Sequence, residues 1–238
     1  ELVLNQNGLE SPTEQQILAM REELGLNQPL YLQYAHWINN LFSGNLGISY
    51  ITGRDILQEI FLRLPTTIEL ALIALFMATF LGISLGIYCA VNEGKFIDNL
   101  FKVITNAMFS IPSFWLALIL ILVFCEHLKL LPTSSDGSIN SLLMPAFILA
   151  FSTIGTLIRL TRNSLLVEFS KQYYIVAKLR GISTLKLLIQ YALPNAILPV
   201  IALLGNYFAG ILGGSVIVES IFAIPGISFM ALQAVSYR

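Results

Sequence analysis

Residues 70–92 read LALIALFMATFLGISLGIYCAVN, and no Asp, Glu, Lys, Arg or His interrupts them between Glu69 and Glu93. A helix rises about 1.5 Å per residue, so about 20 apolar residues cross a hydrocarbon core about 30 Å thick. Backbone N–H and C=O groups find no water there and must pair with one another, so the run is expected to be an α-helix. Three more charge-free runs follow: 103–125 between Lys102 and Glu126, 137–158 between Asp136 and Arg159, and 187–218 between Lys186 and Glu219. The first two have the length of one span. The last is long for one and short for two, and reads as an amphipathic approach followed by a span near 196–217. Composition agrees, because the 238-residue chain is 56% hydrophobic and 11% charged where soluble domains carry about 25% charged residues. The fold class is therefore an all-α membrane protein, a polytopic helix bundle in a lipid bilayer. A formal charge of −1 creates no field that points to nucleic acid.

Lysine and arginine set the orientation. Six fall within 159–195: Arg159, Arg162, Lys171, Lys178, Arg180 and Lys186. Lys95 and Lys102 lie in the loop 93–102, whereas the loop 126–141 holds only Lys129. The positive-inside rule puts 93–102 and 159–195 in the cytoplasm. The expected organisation is an extracytoplasmic helical cap, 1–65, then a membrane core, 66–217, then an outer segment, 218–238. Spans fall at about 67–92, 103–125, 140–159 and 196–217. In the cap, SPTE at Ser11–Glu14 is a capping box that should start a helix from Pro12 to about Leu24, closed by Gly25. A second helix fits Pro29–Phe42, with Tyr34, Trp37, Ile38 and Leu41 on one face. That face suits a membrane interface or packing within the cap equally well. A third, from about Gly53 to Leu64, should be broken or bent by Pro65.

Ala74, Ala78, Gly82, Gly86 and Ala90 recur every four residues in the first span, and Gly205, Ala209 and Gly213 in the last. Small residues at this spacing let helices approach closely. No ionisable side chain falls in mid-membrane, which argues against a proton-driven carrier. Asn106, Ser110 and Ser113 fall on or near one side of the second span beside Pro112, with Asn206 as their analogue in the last. They are candidates for a translocation path, with hydrogen bonding between helices as the alternative. Cys89 and Cys125 form no disulfide framework or spaced metal motif. His36, His127 and the stretch Cys125-Glu126-His127 do not gather a metal ligand set. No G-x-x-x-x-G-K-[ST] loop is present, nor a nucleophile with its base. The chain is thus expected to be no enzyme, and to hold no metal or cofactor of its own.

Residues 174–199, YIVAKLRGISTLKLLIQYALPNAILP, place cations between apolar blocks. Gly181 should end a short helix, and Ser183 can cap the next. Leu185, Leu188, Ile189 and Ala192 then make a stripe at i, i+3, i+4, i+7. Pro194 marks a bend into the last span. Such a two-helix corner is a handle beneath the bundle. It resembles the EAA loop of bacterial ABC-importer permeases, E-A-A, three residues, G, nine residues, I-x-L-P. Ala177, Gly181, Leu193 and Pro194 match in register, while Ile175 replaces the glutamate and Tyr191 the isoleucine. LGLNQPLYLQY, GNLGISYITGRDI, RLPTTIELA, IPSFWLAL and GGSVIVESIFAIPGI extend the resemblance over essentially the whole chain, to the first permease of dipeptide, oligopeptide and nickel importers. LGLNQPLYLQY, FWLAL, LRG and IVESIFAIPG look closest to the nickel permease.

The resemblance implies a type I ABC importer subunit in the bacterial cytoplasmic membrane. It implies a second homologous permease, two cytoplasmic ATPases carrying ATP and Mg, and an extracytoplasmic substrate-binding protein. Loop 168–195 would be the coupling element, through Ala177, Lys178, Arg180, Gly181, Leu193 and Pro194. Glu219, Pro225 and Gly226 would belong to an outer gate or a binding-protein contact. The cargo expected from the motifs is nickel, free or chelated, with di- and oligopeptides or a metallophore as the alternative. A carrier or channel that uses no ATP is more remote. Family members usually have six spans, so the missing ones are expected before Glu1 and after Arg238. The run 220–237 is expected to fold back at the outer surface rather than cross.

Overall fold

The computed structural model describes residues 27–49, 52–134 and 138–236, together with the helical positions Gln15, Leu18, Arg21 and Glu22. The Ser11–Glu14 capping box and Gly25 lie outside the described residues, as does most of the helix expected over 12–24. Two compact units are present, residues 1–65 with 230–238, and residues 66–229.

In the first unit, helix α1 (Leu30–Phe42) starts after Pro29 and buries no residue. Its aromatic face is open: Tyr34 stacks on Trp37 at 6.1 Å between ring centroids, and both rings are exposed. A loop leads to Asp55, whose carboxylate accepts the N–H groups of Leu57 and Gln58 at 2.8 and 3.2 Å. This cap satisfies two of the donors that a helix start leaves unpaired. The helix it begins, α2, runs without interruption from Ile56 to Val91. Pro65 lies inside this helix, so of the break or bend expected there the break does not occur. Proline removes a single donor, the one owed to the Phe61 carbonyl, and apolar helical residues on both sides hold the register.

In the second unit, α2 packs against α5 (Ile139–Phe169) through its small residues. Ala71, Ala74 and Ala78 are fully buried. A Cβ on Gly82 would lie 2.4 Å from the Leu157 Cβ, and one on Gly86 would lie 2.7 Å from the Thr161 Cβ. The two helices touch where only glycine fits. The counterpart stripe in α8 (Leu198–Gly214) is different, because Gly205, Ala209 and Gly213 are exposed and a Cβ on Gly205 or Gly213 would meet no atom within 4 Å.

The run 103–125 is not one straight helix. α3 (Phe96–Ser110) stops at Ile111, whose φ of −87° and ψ of 117° are extended, and α4 (Ser113–Leu120) restarts after Pro112. The two directions differ by 101°. A residue before proline is pushed out of the helical region, and proline cannot supply the next hydrogen bond. α4 continues as a π-helix over Ile121–His127. α2 and α5 are each long and apolar enough to cross a membrane unbroken, and, with each bent pair α3–α4 and α7–α8 taken as one span, the candidates among the described residues come to four. The remaining helices are α6 (Gln172–Leu179), α7 (Thr184–Ala196), α9 (Val216–Ile221) and α10 (Ile227–Ser236). Over its ten described residues α10 is about 15 Å long.

Candidate functional site: a basic elbow and three buried carboxylates

α6 and α7 form a corner. At the end of α6 the N–H of Ile182 donates to the Ala177 carbonyl at 3.4 Å and that of Gly181 to the Lys178 carbonyl at 3.0 Å. This pair of bonds is a Schellman closure, which needs a left-handed residue at its apex. Gly181 supplies it with φ of +80°. A Cβ there would meet nothing within 4 Å, so any other residue would suffer from the backbone angle rather than from crowding.

Tyr174 and Ala177 turn inward from α6, and Leu187, Leu188 and Ala192 from α7. With Ala90 and Leu165 they build a separate small core that seats the corner against the ends of α2 and α5. Leu193 is half-buried against that core, while Pro194 is exposed. The stripe expected on α7 is only half right. Leu188 and Ala192 are buried, but Leu185 and Ile189 are exposed, and Leu187 takes an inner place. The reason is local winding: residues 187–192 form a π-helix, whose i→i+5 bonds widen the turn and rotate the face. The bend into α8 is 51° and falls at Ile197, after Pro194 and before Pro199, rather than at Pro194 itself.

Leu179 and Leu185 stand out at the tip, 82% and 67% exposed. Lys178, Arg180 and Lys186 surround them, all exposed, and none enters an ion pair among the described residues. Lys178 also borders a groove of about 410 Å³, lined by Glu93, Tyr174, Ile175 and Thr184 among others. The corner thus offers apolar contact and unpaired positive charge together.

Two carboxylates fasten the same end of the unit, and neither stood out in the sequence. Asp98 is fully buried near the start of α3. Arg162 grips it with two nitrogens, at 2.5 and 2.8 Å, Lys102 adds a contact at 2.9 Å, and the Gly94 N–H donates at 3.0 Å. The Arg162 hydrogen bonds outweigh the cost of burial and hold this carboxyl below the usual carboxylate range. Glu168, in the last turn of α5, accepts from Lys171 Nζ at 2.7 Å and from the Tyr173 hydroxyl at 2.5 Å. Burial opposes its charge, but those two donors prevail and lower its pKa. Charge pairs 64 residues apart, such as Asp98 and Arg162, leave no periodic signal that a sequence could show.

The polar residues proposed for a path are only partly brought together. Asn106, Ser110 and Ser113 flank the α3–α4 break and are exposed. Asn106 Oδ1 accepts from Arg159 at 3.4 Å, and Ser110 donates to the Asn106 carbonyl at 3.3 Å. Asn206 is exposed on α8.

At the other end, Glu219 of α9 is fully buried. Its Oε1 accepts from the Ser215 hydroxyl at 2.7 Å and from the Thr67 hydroxyl at 3.1 Å, and its Oε2 accepts the Phe229 N–H at 2.7 Å. Thr67 in turn accepts the Ile227 N–H at 3.0 Å, and Ser228 lies 3.2 Å from the Ser215 hydroxyl. The carboxylate therefore caps the N-terminus of α10 and ties it to α2. Gly226 is required beside it, since a Cβ there would lie 2.3 Å from the Glu219 Cδ. Of the two roles expected for it, outer gate or binding-protein contact, a fully buried Glu219 favours a part in holding the turn together. Ala223, in the left-handed region at φ of +49°, and Pro225 are the exposed members of the turn.

An all-α bundle of apolar helices with an exposed basic elbow between two of its candidate spans has the form of a membrane transport subunit. Comparison with known proteins says which. Residues 82–238 match the family described as binding-protein-dependent transport system inner membrane component, and the chain belongs to that family. It is similar to the probable D,D-dipeptide transport system permease of Escherichia coli (strain K12), 34% identical with 91% of this chain and 72% of that protein covered. The probable peptide ABC transporter permease of Sinorhizobium fredii is also 34% identical, over 95% of this chain and 75% of its own length. The glutathione transport system permease of Escherichia coli O6:H1 is 34% identical, over 94% and 73%. The chain is a permease subunit of an ABC importer in the bacterial inner membrane, and such subunits are not themselves catalytic. These relatives are named for peptides, dipeptides and glutathione, so nickel as the cargo finds no support among them.

Proposed function

We propose that this permease carries short peptides, as one of two homologous subunits that enclose the path. A binding protein delivers the peptide outside, and two cytoplasmic ATPases, loaded with ATP and Mg, drive the cycle. The peptide reading rests on the names of the relatives and replaces nickel. The coupling role rests on the elbow. Its apolar tip, Leu179 and Leu185, and its cations Lys178, Arg180 and Lys186, which enter no ion pair among the described residues, complement a groove with an apolar floor and an acidic rim on an ATPase. Ala177 and Leu193 hold the elbow to the small core beneath it, and Gly181 makes the corner. Closure of the ATPase pair would draw the elbow and rock the spans between inward and outward access.

The exposed small face of α8 suits the second permease, because small residues allow close helix approach. Asn106, Ser110, Ser113 and Asn206 are the proposed polar lining of the path. The Glu219–Gly226 turn, with Pro225 at its surface, is the proposed outer gate. The decisive experiment is uptake by the whole transporter in proteoliposomes, with labelled dipeptides, glutathione and nickel in parallel. Peptide uptake that requires internal ATP is expected. Nickel uptake without peptide uptake would reverse the substrate, and uptake without ATP would remove the coupling role of the elbow.

A further inference from the structure

Among the described residues the elbow touches the rest of the subunit mainly through apolar contact, and its polar ties gather around Glu168. The Tyr173 hydroxyl, on the first turn of α6, donates to Glu168 Oε2 at 2.5 Å. It also lies 3.2 Å from the Tyr191 carbonyl oxygen in α7 and accepts from Asn195 Nδ2 at 3.4 Å. Asn195 donates to that same Tyr191 carbonyl at 2.9 Å. One hydroxyl therefore meets groups from the end of α5, from the π-helical turn of α7, and from the last turn before the bend into α8. Glu168 is held from its other oxygen by Lys171, at 2.7 Å, so the carboxylate is fixed on both sides. The motif expected here carries a glutamate where this chain has Ile175, which is 46% exposed and contributes no polar tie.

We infer that Tyr173 is a positioning residue for energy coupling: its hydroxyl fastens α6 to α5 and to the last turns of α7, just before the bend into α8, so that displacement of the elbow is passed to the spans. This rests on the coupling role proposed above for the elbow. Apolar contacts in the small core resist separation but tolerate sliding, since they have no preferred direction. A short hydrogen bond to a charged acceptor is directional and roughly twice as strong as a neutral one. Burial and the Glu168 charge raise the Tyr173 pKa, so the hydroxyl keeps its proton and remains a donor. The tie sits beside the π-helical turn, where the backbone departs from regular winding and can change its pitch at low cost. Without the tie, movement of α6 would be absorbed in that turn.

The test is Tyr173→Phe, which deletes only the hydroxyl, in the complete transporter with both permeases, the ATPases and the binding protein. Three quantities are read: ATPase subunits retained on purification, ATP hydrolysed, and labelled dipeptide accumulated. The expected result is full retention of the ATPases and nearly unchanged hydrolysis, with peptide moved per ATP lowered about five- to tenfold, the scale of one lost hydrogen bond to a charged group. Asn195→Ala should lower the same ratio, less severely. An unchanged ratio in Tyr173→Phe would overturn the inference, and so would a loss of hydrolysis and transport in equal proportion. If Tyr173→Phe does not assemble, Asn195→Ala decides alone, and a normal ratio in it overturns the inference. Gly181→Val is run alongside. Normal ATPase retention and normal uptake in Gly181→Val would remove the coupling role of the elbow itself, whatever Tyr173 does.

Discussion

Asp98 and Glu219 are both fully buried carboxylates, and they are fastened in opposite ways. Asp98 has two cations, Arg162 on two oxygens and Lys102 on one. The donors seen on Glu219 are two hydroxyls and a backbone N–H. A charge removed from water is costly unless it is paired or fully hydrogen-bonded. The basic end meets that requirement with opposite charge, which tolerates small errors of position. The Glu219 end meets it with neutral dipoles, each of which must be in place. The clasp of Glu219 therefore depends on shape, and Gly226 is part of it even though it donates nothing to the carboxylate.

The largest effect should come from Gly226→Ala, which forces a methyl group onto the Glu219 carboxylate. Expelling that group loses three hydrogen bonds and opens the turn, at a cost of about 3 kcal/mol or more. Thermal unfolding in detergent should fall accordingly, and peptide uptake with it. An unchanged midpoint would show that Glu219 can sit elsewhere. Next comes Arg162→Ala, which leaves Asp98 buried with Lys102 as its remaining cation. About 3 kcal/mol is expected, at the low end for a broken buried pair. If this variant unfolds like the wild type, charge pairing is not what holds the basic end.

Glu219→Gln is a gentler probe of the contrast. One amide oxygen can still accept from Ser215 and Thr67, but the amide NH2 then faces the Phe229 N–H, and a buried donor goes unmet. The expected loss is about 1–3 kcal/mol in the unfolding free energy. A loss as large as that of Gly226→Ala would mean that the charge, rather than the acceptor geometry, matters. The smallest effect is in pH. Asp98 has its folded pKa below its unfolded value of about 3.9. Its stabilisation is fully present above the unfolded value and is lost only as pH falls through the lower, folded one. The stability gap between wild type and Asp98→Asn should be flat from about pH 8 to pH 5 and should close only below about pH 4. A gap that closes near neutral pH would assign the tie to another group.

Much of the helical organisation was legible because hydropathy and charge act locally. Charge-free stretches located α2 and α5, and the small-residue period in α2 pointed to the face that meets Leu157 and Thr161. Gly181 was readable as a corner for the same reason, since a left-handed apex needs glycine whatever surrounds it. Pro112 was visible too, but a run counted only for its apolar length hid the 101° break that follows from it. Pro65 goes the other way: of the break or bend expected there the break does not occur, because the long helix around it outweighs the local cost. The α7 stripe does not hold at Leu185 and Ile189, because it presumes regular α-helical winding and the turn is π-helical.

The clasps were not legible. Thr67 and Glu219 are 152 residues apart, and Tyr173 and Asn195 are 22 apart across a corner. Serine, threonine and tyrosine are common, and nothing in their spacing marks the few whose hydroxyls face a buried carboxylate. What the amino-acid sequence determined alone was the solvent each segment prefers, the sign of charge at each end and the points where the backbone must turn. These depend on a residue and its near neighbours. Which carboxylate is buried, and which distant donors meet it, was decided only by tertiary packing, because a hydrogen bond exists only when two groups are brought within about 3 Å.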